Sequence, residues 1–191
     1  MSKTVRTSAT HPLQINTVAA GNGTIGMTLL PGRRDVISPA GEWRRDLDAD
    51  LALVLAWHPS LIITLMEAHE FAHSGVPDFE ERMRASGLRW EHLPIRDGGV
   101  PGPAFDALWR RVGPEAVDLL RSGGRVLIHC RAGLGRTGTV AALLLLGVGV
   151  PVEDAIARIR NARPNTIEPM QADYLRAFAR SAAHVDGERR L

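Results

Sequence analysis

The sequence predicts a single α/β domain with a mostly parallel central sheet flanked by helices. Three observations carry that expectation. Short apolar runs suited to buried strands alternate with stretches of helical periodicity. The strand ending at His129 runs through a glycine-rich loop into an apolar helix, the step at which open parallel sheets bind ligands. A chain of 191 residues, 45% apolar and 23% charged, suits one hydrophobic core and excludes a disordered polymer.

Residues 1–16 are polar and are expected to form a loose arm or an edge segment. The domain is expected over 17–184, with a polar tail over 185–191. Gly23 to Leu30 reads as a strand stopped by Pro31-Gly32. From Glu42 to Trp57, Leu47, Leu51, Val54 and Leu55 recur at helical spacing. Leu61 to Leu65, after Pro59, is the short apolar run of a buried strand. Asp78 to Ser86 reads as a helix capped by Asp78 and stopped by Gly87, and Leu88 to Leu93 as another strand. Pro94 to Pro103 holds three prolines and three glycines and reads as a loop. A helix follows to about Arg121, bent or broken near Gly113-Pro114. Arg125 to His129 is a strand, Arg131 to Gly138 a glycine-rich loop, and Gly138 to Val148 an apolar helix. Helical patterns over Val152 to Asn161 and Glu168 to Ala183 close the domain. There is no internal repeat or linker.

Bulk chemistry narrows the function. The net charge of +2 gives no argument for nucleic acid as a partner. Arginine supplies the basic residues almost alone, Lys3 being the only lysine. Cys130 is the only cysteine, so an intrachain disulfide scaffold is excluded. The first residues lack the apolar core of a signal peptide, and the longest apolar run, Val140 to Leu146, falls well short of a membrane span. A cytoplasmic monomer, without a membrane partner, metal or cofactor, is the expectation.

The chemistry concentrates in Val126 to Gly138. Cys130 ends a strand and sits before a helix N-terminus, where unpaired N–H groups and the helix dipole favour an anion. Five residues separate Cys130 from Arg136, and Gly133 and Gly135 are two of them. A tight loop of that kind turns the N–H groups of Arg131, Ala132, Gly133, Leu134, Gly135 and Arg136 toward a phosphate. Arg136 is placed to grip two phosphate oxygens with its planar fork. Such a positive setting favours thiolate over thiol, and the thiolate is the form that attacks phosphorus. Thr137 is expected to donate a hydrogen bond to the sulfur. His129 is expected to fix the loop through its ring and to add to the bias toward thiolate.

At His129, Cys130, Arg136 and Thr137 the sequence resembles the protein tyrosine phosphatase superfamily, whose signature is His-Cys, five residues, Arg, then Ser or Thr. Leu30-Pro31-Gly32, the loop Leu93 to Pro101 and Gly133 to Arg136 are similar to the kinase-associated type of dual-specificity phosphatase. That resemblance runs from about Thr24 to Phe178 and implies the cysteine-phosphatase fold. It implies hydrolysis of phosphotyrosine, with phosphoserine or phosphothreonine as further substrates, on a phosphorylated protein. It also implies a general acid on a separate loop, and Asp97 stands where that acid belongs. By itself Asp97 would read as an Asx-turn bonding the N–H of Gly99. Relatives carry a water-orienting glutamine in the segment matching Thr166 to Gln171; here Glu168 holds the first such position and Gln171 lies near the second, so the sequence leaves that role open.

Other readings of the sequence are weaker. A phosphate-reading module with little turnover would have no need of the thiol. A phosphoinositide or nucleic-acid 5′-phosphatase finds only Arg131 as an extra base within the loop. Gly133 to Gly138 also fits G-x-G-x-x-G, but no acidic residue ends a second strand about twenty residues on, as dinucleotide binding requires. His69-Glu70-Phe71-Ala72-His73 matches the zinc-protease pattern, but Ser74 to Pro77 leave little helix to hold two ligands.

Overall fold

The computed structural model describes residues 5–35 and 41–188, with side chains as far as Ser181. The chain opens with strand β1 (Val5–Thr7), then β2 (Asn16–Ala20) and β3 (Gly23–Thr28). Next come β4 (Glu42–Arg44), helix α1 (Leu47–Ala56) and β5 (Leu61–Thr64). Helices α2 (Ala68–His73) and α3 (Phe79–Ala85) precede β6 (Trp90–His92). Helix α4 (Pro103–Arg121) leads to β7 (Arg125–His129) and α5 (Gly135–Gly147). Helices α6 (Val152–Ala162) and α7 (Pro169–Glu188) close the chain.

The main sheet has the order β2-β3-β7-β5-β6. Only β2 runs antiparallel, against β3; β3, β7, β5 and β6 are parallel, as the alternation of elements predicts. Its centre is dry: Val126, Leu127 and Ile128 of β7 and Leu61 and Ile63 of β5 are buried. That explains why these strands read as continuous apolar runs instead of alternating ones. Helix α4 buries Phe105, Val112, Ala116 and Leu120 along one stripe and packs on β3 and β7. Helix α5 is apolar nearly all round because α4, α6, α7 and the sheet enclose it.

Five features depart from the sequence-based expectation. Residues 5–16, predicted as a loose arm or edge segment, are held in place. β1 pairs in parallel with β4, Leu13 is buried, and Arg45 donates to the His11 carbonyl at 2.7 Å. Ser8 donates to Asp50 at 2.9 Å. Polar composition conceals this segment because hydrogen bonds, not apolar spacing, tie it down. The predicted helix from Glu42 splits into β4 and α1, with the Asp46 side chain capping α1 by accepting from the Ala49 N–H at 2.9 Å. Helix α4 runs on through Pro114, and α7 reaches Glu188, past the predicted start of a polar tail at 185. Helix α5 begins at Gly135, three residues before the predicted Gly138, so Arg136 and Thr137 belong to its first turn.

Candidate active site

Strand β7 carries Cys130 to the carboxyl edge of the sheet, and α5 leaves from the same edge. Between them Arg131 to Leu134 make the turn. Gly133 takes φ +68°, and a Cβ there would lie 2.3 Å from the Thr28 carbonyl oxygen, so no other residue fits. The loop's carbonyls are held from outside. Leu30 N–H donates to Arg131 O at 3.3 Å. Arg163 donates to Ala132 O at 3.0 Å and Gly133 O at 2.6 Å. The first N–H of α5 to bond back is that of Gly138, to Leu134 O at 2.7 Å. The N–H groups of Gly135, Arg136 and Thr137 therefore stay available to an anion at the helix N-terminus.

Cys130, Arg131, Ala132, Leu134, Gly135, Arg136, Asp97, Glu168 and Gln171 line one pocket of about 360 Å³. Cys130 is buried to 4% exposure and lies within electrostatic range of Arg33, Arg136 and Arg163. Arg136 is 2% exposed and its orientation is fixed. Nη1 donates to Glu70 Oε2 at 2.6 Å and to the Ile95 carbonyl at 3.0 Å, and Nη2 donates to Glu70 Oε1 at 2.9 Å. Burial works against both charges, but their two-point hydrogen bonding prevails. Glu70 is held below the usual carboxylate range, helped by the Glu67 N–H, and Arg136 is held above the usual guanidinium value.

Glu70 is the residue whose role sequence reasoning missed. The zinc-protease spacing groups it with His69 and His73, yet α2 has only six residues and turns Glu70 inward while both histidines stay exposed. His73 Nδ1 lies 2.8 Å from the carbonyl of His69 within their own turn. The usable signal was Glu67-x-x-Glu70, a capping box in which Glu70 accepts the Glu67 N–H at 2.7 Å. Arg163, Arg33 and Asp35 also went unread. Arg33 and Arg131 both pair with Asp35 beneath the loop.

Asp97 reaches the pocket. Its side chain is 62% exposed, with Oδ1 2.9 Å from Arg136 Nη2. The Asx-turn bond to Gly99 is not made: Gly99 N–H donates to Arg96 O at 2.9 Å, while Asp97 Oδ1 accepts from Gly98 N–H at 3.1 Å. Gln171 is 1% exposed and spans two elements. Its Oε1 accepts the Glu168 N–H at 2.9 Å, capping α7, and its Nε2 donates to Gly99 O at 3.2 Å, tethering the Asp97 loop. Glu168 lines the pocket but is exposed.

Two expected roles change. Thr137 is fully buried and its hydroxyl has no partner among the described residues, so the predicted bond to the sulfur is not made. Among the described residues the ring of His129 is hydrogen-bonded to Thr64 and not to the loop, and it adds no positive charge. Burial pushes its ring down to about 3, so it is neutral near pH 7 and cannot favour thiolate as a cation. Trp90 donates to Thr64 Oγ1 at 2.8 Å, and Thr64 Oγ1 lies 2.7 Å from His129 Nε2. With the hydroxyl donating, the proton of the neutral ring sits on Nδ1, which has no hydrogen-bond partner among the described residues.

Known proteins resemble this chain over most of its length. A family described as "Swiss Army Knife protein, DSP-PTPase phosphatase domain" matches residues 44–188. Human cyclin-dependent kinase inhibitor 3 is 31% identical over 170 residues, covering 84% of this chain and 74% of that protein. Human protein tyrosine phosphatase type IVA 3 is 43% identical over 96 residues, 50% of this chain and 55% of its own. The crystal structure of a kinase associated phosphatase with its catalytic-site cysteine changed to serine superposes with a TM-score of 0.78 at 27% identity, covering 90% of this chain and 97% of that one. A structure of PTPMT1 in complex with PI(5)P, at 20% identity and a TM-score of 0.62 over 90% and 99% of the two chains, shares the fold.

Proposed function

The chain belongs to the dual-specificity protein tyrosine phosphatases, cysteine-dependent enzymes that act on phosphoproteins, and from that premise we propose a residue-by-residue mechanism. The observation that carries it is the convergence of Cys130, the Arg131–Arg136 loop and Asp97 on one pocket. The substrate phosphate enters the loop and takes the place of the Asp97 carboxylate on Arg136. The Cys130 thiolate attacks phosphorus in line. As the S–P bond forms and the bond to the leaving oxygen breaks, Asp97, in its acid form, protonates that oxygen. Water then attacks the phosphocysteine, Asp97 takes the water's proton, and the S–P bond breaks to return the thiolate and release phosphate. Arg136, held by Glu70, and the loop amides balance the charge on the equatorial oxygens without moving, which is what phosphoryl transfer requires of a protein.

The proposed substrate is phosphotyrosine on a protein, with phosphoserine and phosphothreonine as further targets. A phosphorylated kinase is the proposed protein substrate, since cyclin-dependent kinase inhibitor 3, also called kinase associated phosphatase, is named for kinases. Glu168 faces the pocket and Gln171 positions the acid loop, so Glu168 is the better placed to orient the water of the second step. The test is p-nitrophenyl phosphate turnover alongside phosphopeptide binding. Cys130→Ser should abolish turnover and retain binding, and Asp97→Asn should lower kcat by roughly 10²–10⁴. Wild-type turnover in Cys130→Ser would overturn the mechanism, and phosphopeptide binding without turnover by the unmodified protein would identify a reader instead of an enzyme.

A further inference from the structure

The carboxamide of Gln171 stands where three parts of the site meet. It accepts the Glu168 N–H through Oε1 at 2.9 Å and donates from Nε2 to the Gly99 carbonyl at 3.2 Å. A Cβ on Gly135 would lie 2.7 Å from Nε2 and 3.0 Å from Oε1, so the amide rests directly on the main chain where the phosphate loop becomes α5. The oxygen that would hold a water for the second step is thus already engaged at the start of α7.

The acid loop depends on this amide. Upstream of Asp97 the loop is fixed at Ile95, whose N–H donates to Leu65 O at 3.0 Å and whose carbonyl accepts from Arg136 at 3.0 Å. Downstream, the bond to Gly99 is the only hydrogen bond that residues 98–102 receive from a side chain outside the loop, among the described residues. Gly98 takes φ +69°, and a Cβ on Gly98 or Gly102 would point into open space, so packing restrains this limb little. Asp97 lies two residues before the tether, with its side chain largely exposed.

We propose that Gln171 is a positioning residue for Asp97 and that, through it, Gln171 sets which leaving groups the enzyme accepts. The inference rests on the phosphatase reading above. In the first step the S–P bond forms, the P–O bond breaks and the Asp97 proton goes to the departing oxygen. p-Nitrophenolate needs the least help. The phenolate of tyrosine, with a pKa of about 10, needs more, and the alkoxide of threonine, a far stronger base, needs most. A misplaced acid is therefore felt in proportion to the basicity of the leaving group. A residue that orients water acts on the phosphocysteine, after the leaving group has gone, and treats all substrates alike. The tether at Gly99 is what extends activity from phosphotyrosine to phosphothreonine.

The test uses Gln171→Met, close in length but without hydrogen-bonding groups, on p-nitrophenyl phosphate, a phosphotyrosine peptide and a phosphothreonine peptide. kcat should fall by about threefold on the first and about 10² on the last, with the tyrosine peptide between them and KM little changed. In an Asp97→Asn background the same substitution should cost no further activity on the tyrosine peptide. Gln171→Asn, which keeps an amide on a shorter side chain, should show the same grading, and it decides the question if the methionine variant does not fold. Equal losses on the three substrates, or a burst of p-nitrophenolate with phosphocysteine accumulating, would overturn the proposal in favour of a water-orienting role. So would losses that multiply in the double variant, or an unmodified protein that leaves the phosphothreonine peptide untouched. Absence of turnover on all three substrates by the unmodified protein would overturn the phosphatase mechanism itself, a failure distinct from equal losses in an active enzyme.

Discussion

His129 shows how one side chain serves a site by being uncharged. Burial pushes its ring down to about 3, against about 6.5 in an unfolded chain. The folded value is the lower one. The stability gained from the neutral ring is therefore complete above the unfolded value, declines as pH falls below it, and is gone below the folded value. Urea unfolding between about pH 6 and 4.5 should show the unmodified protein losing stability faster than His129→Asn, by roughly 1 kcal/mol per pH unit. Parallel curves would mean the ring is not held neutral. At this scale the sequence was readable wherever the chemistry is local. His129 to Thr137 announce themselves by spacing, and Asp97 by its loop. Glu70 did not, because its partner Arg136 lies 66 residues away, and an ion pair across that separation leaves no periodic trace. Arg163 was silent for the same reason, since it supports the loop from 30 residues downstream.

At the scale of elements, the phosphate loop depends on how β3, β7 and α5 meet. Gly133 passes so close to Thr28 at the end of β3 that a methyl group cannot be placed there. Gly133→Ala should distort the cradle and lower kcat on p-nitrophenyl phosphate by about 10² or more, the scale of losing an oxyanion donor, while circular dichroism stays near that of the unmodified protein. Activity within threefold of normal would show that the loop tolerates a shift. Gly138 allows a close approach of α5 to Thr166 and Ile167. Ile167 is a β-branched residue at φ +57°, an uncommon state, and its carbonyl accepts from Arg160 at 2.7 Å. Strand and helix identities were mostly legible because the sheet centre and α5 are so apolar. Boundaries were less so. The sequence reads Gly135 to Gly138 as a loop on composition, yet these residues form the first turn of α5, where glycine at an N-terminus is compatible with helix.

For the molecule as a whole, the buried pair Arg45–Asp50 fastens the N-terminal segment to the domain. Asp50 is fully buried and accepts from Arg45 Nε at 2.7 Å, Arg45 Nη2 at 2.8 Å, Gly32 N–H at 2.9 Å and Ser8 Oγ at 2.9 Å. Asp50→Asn keeps the shape but leaves Arg45 a buried, unpaired cation, which should lower unfolding stability by about 3–5 kcal/mol. Amide exchange over residues 5–16 should quicken with it; unchanged exchange there would show that the segment is held by other means. The parallel sheet was predictable from alternating elements, whereas this polar fastening was not, because charges that satisfy one another in the interior look like any surface residues in a linear chain.

The position of β7 bears on how the protein is made. It lies between β3 and β5 in the sheet but follows both in the chain. A nascent chain therefore emerges from the ribosome with two partial sheets whose facing edges stay open until residues 125–129 are translated and slot between them. The strand that delivers the reactive sulfur is also the one that closes the sheet, so polypeptides cut short before it would have neither a finished hydrophobic centre nor a phosphate cradle.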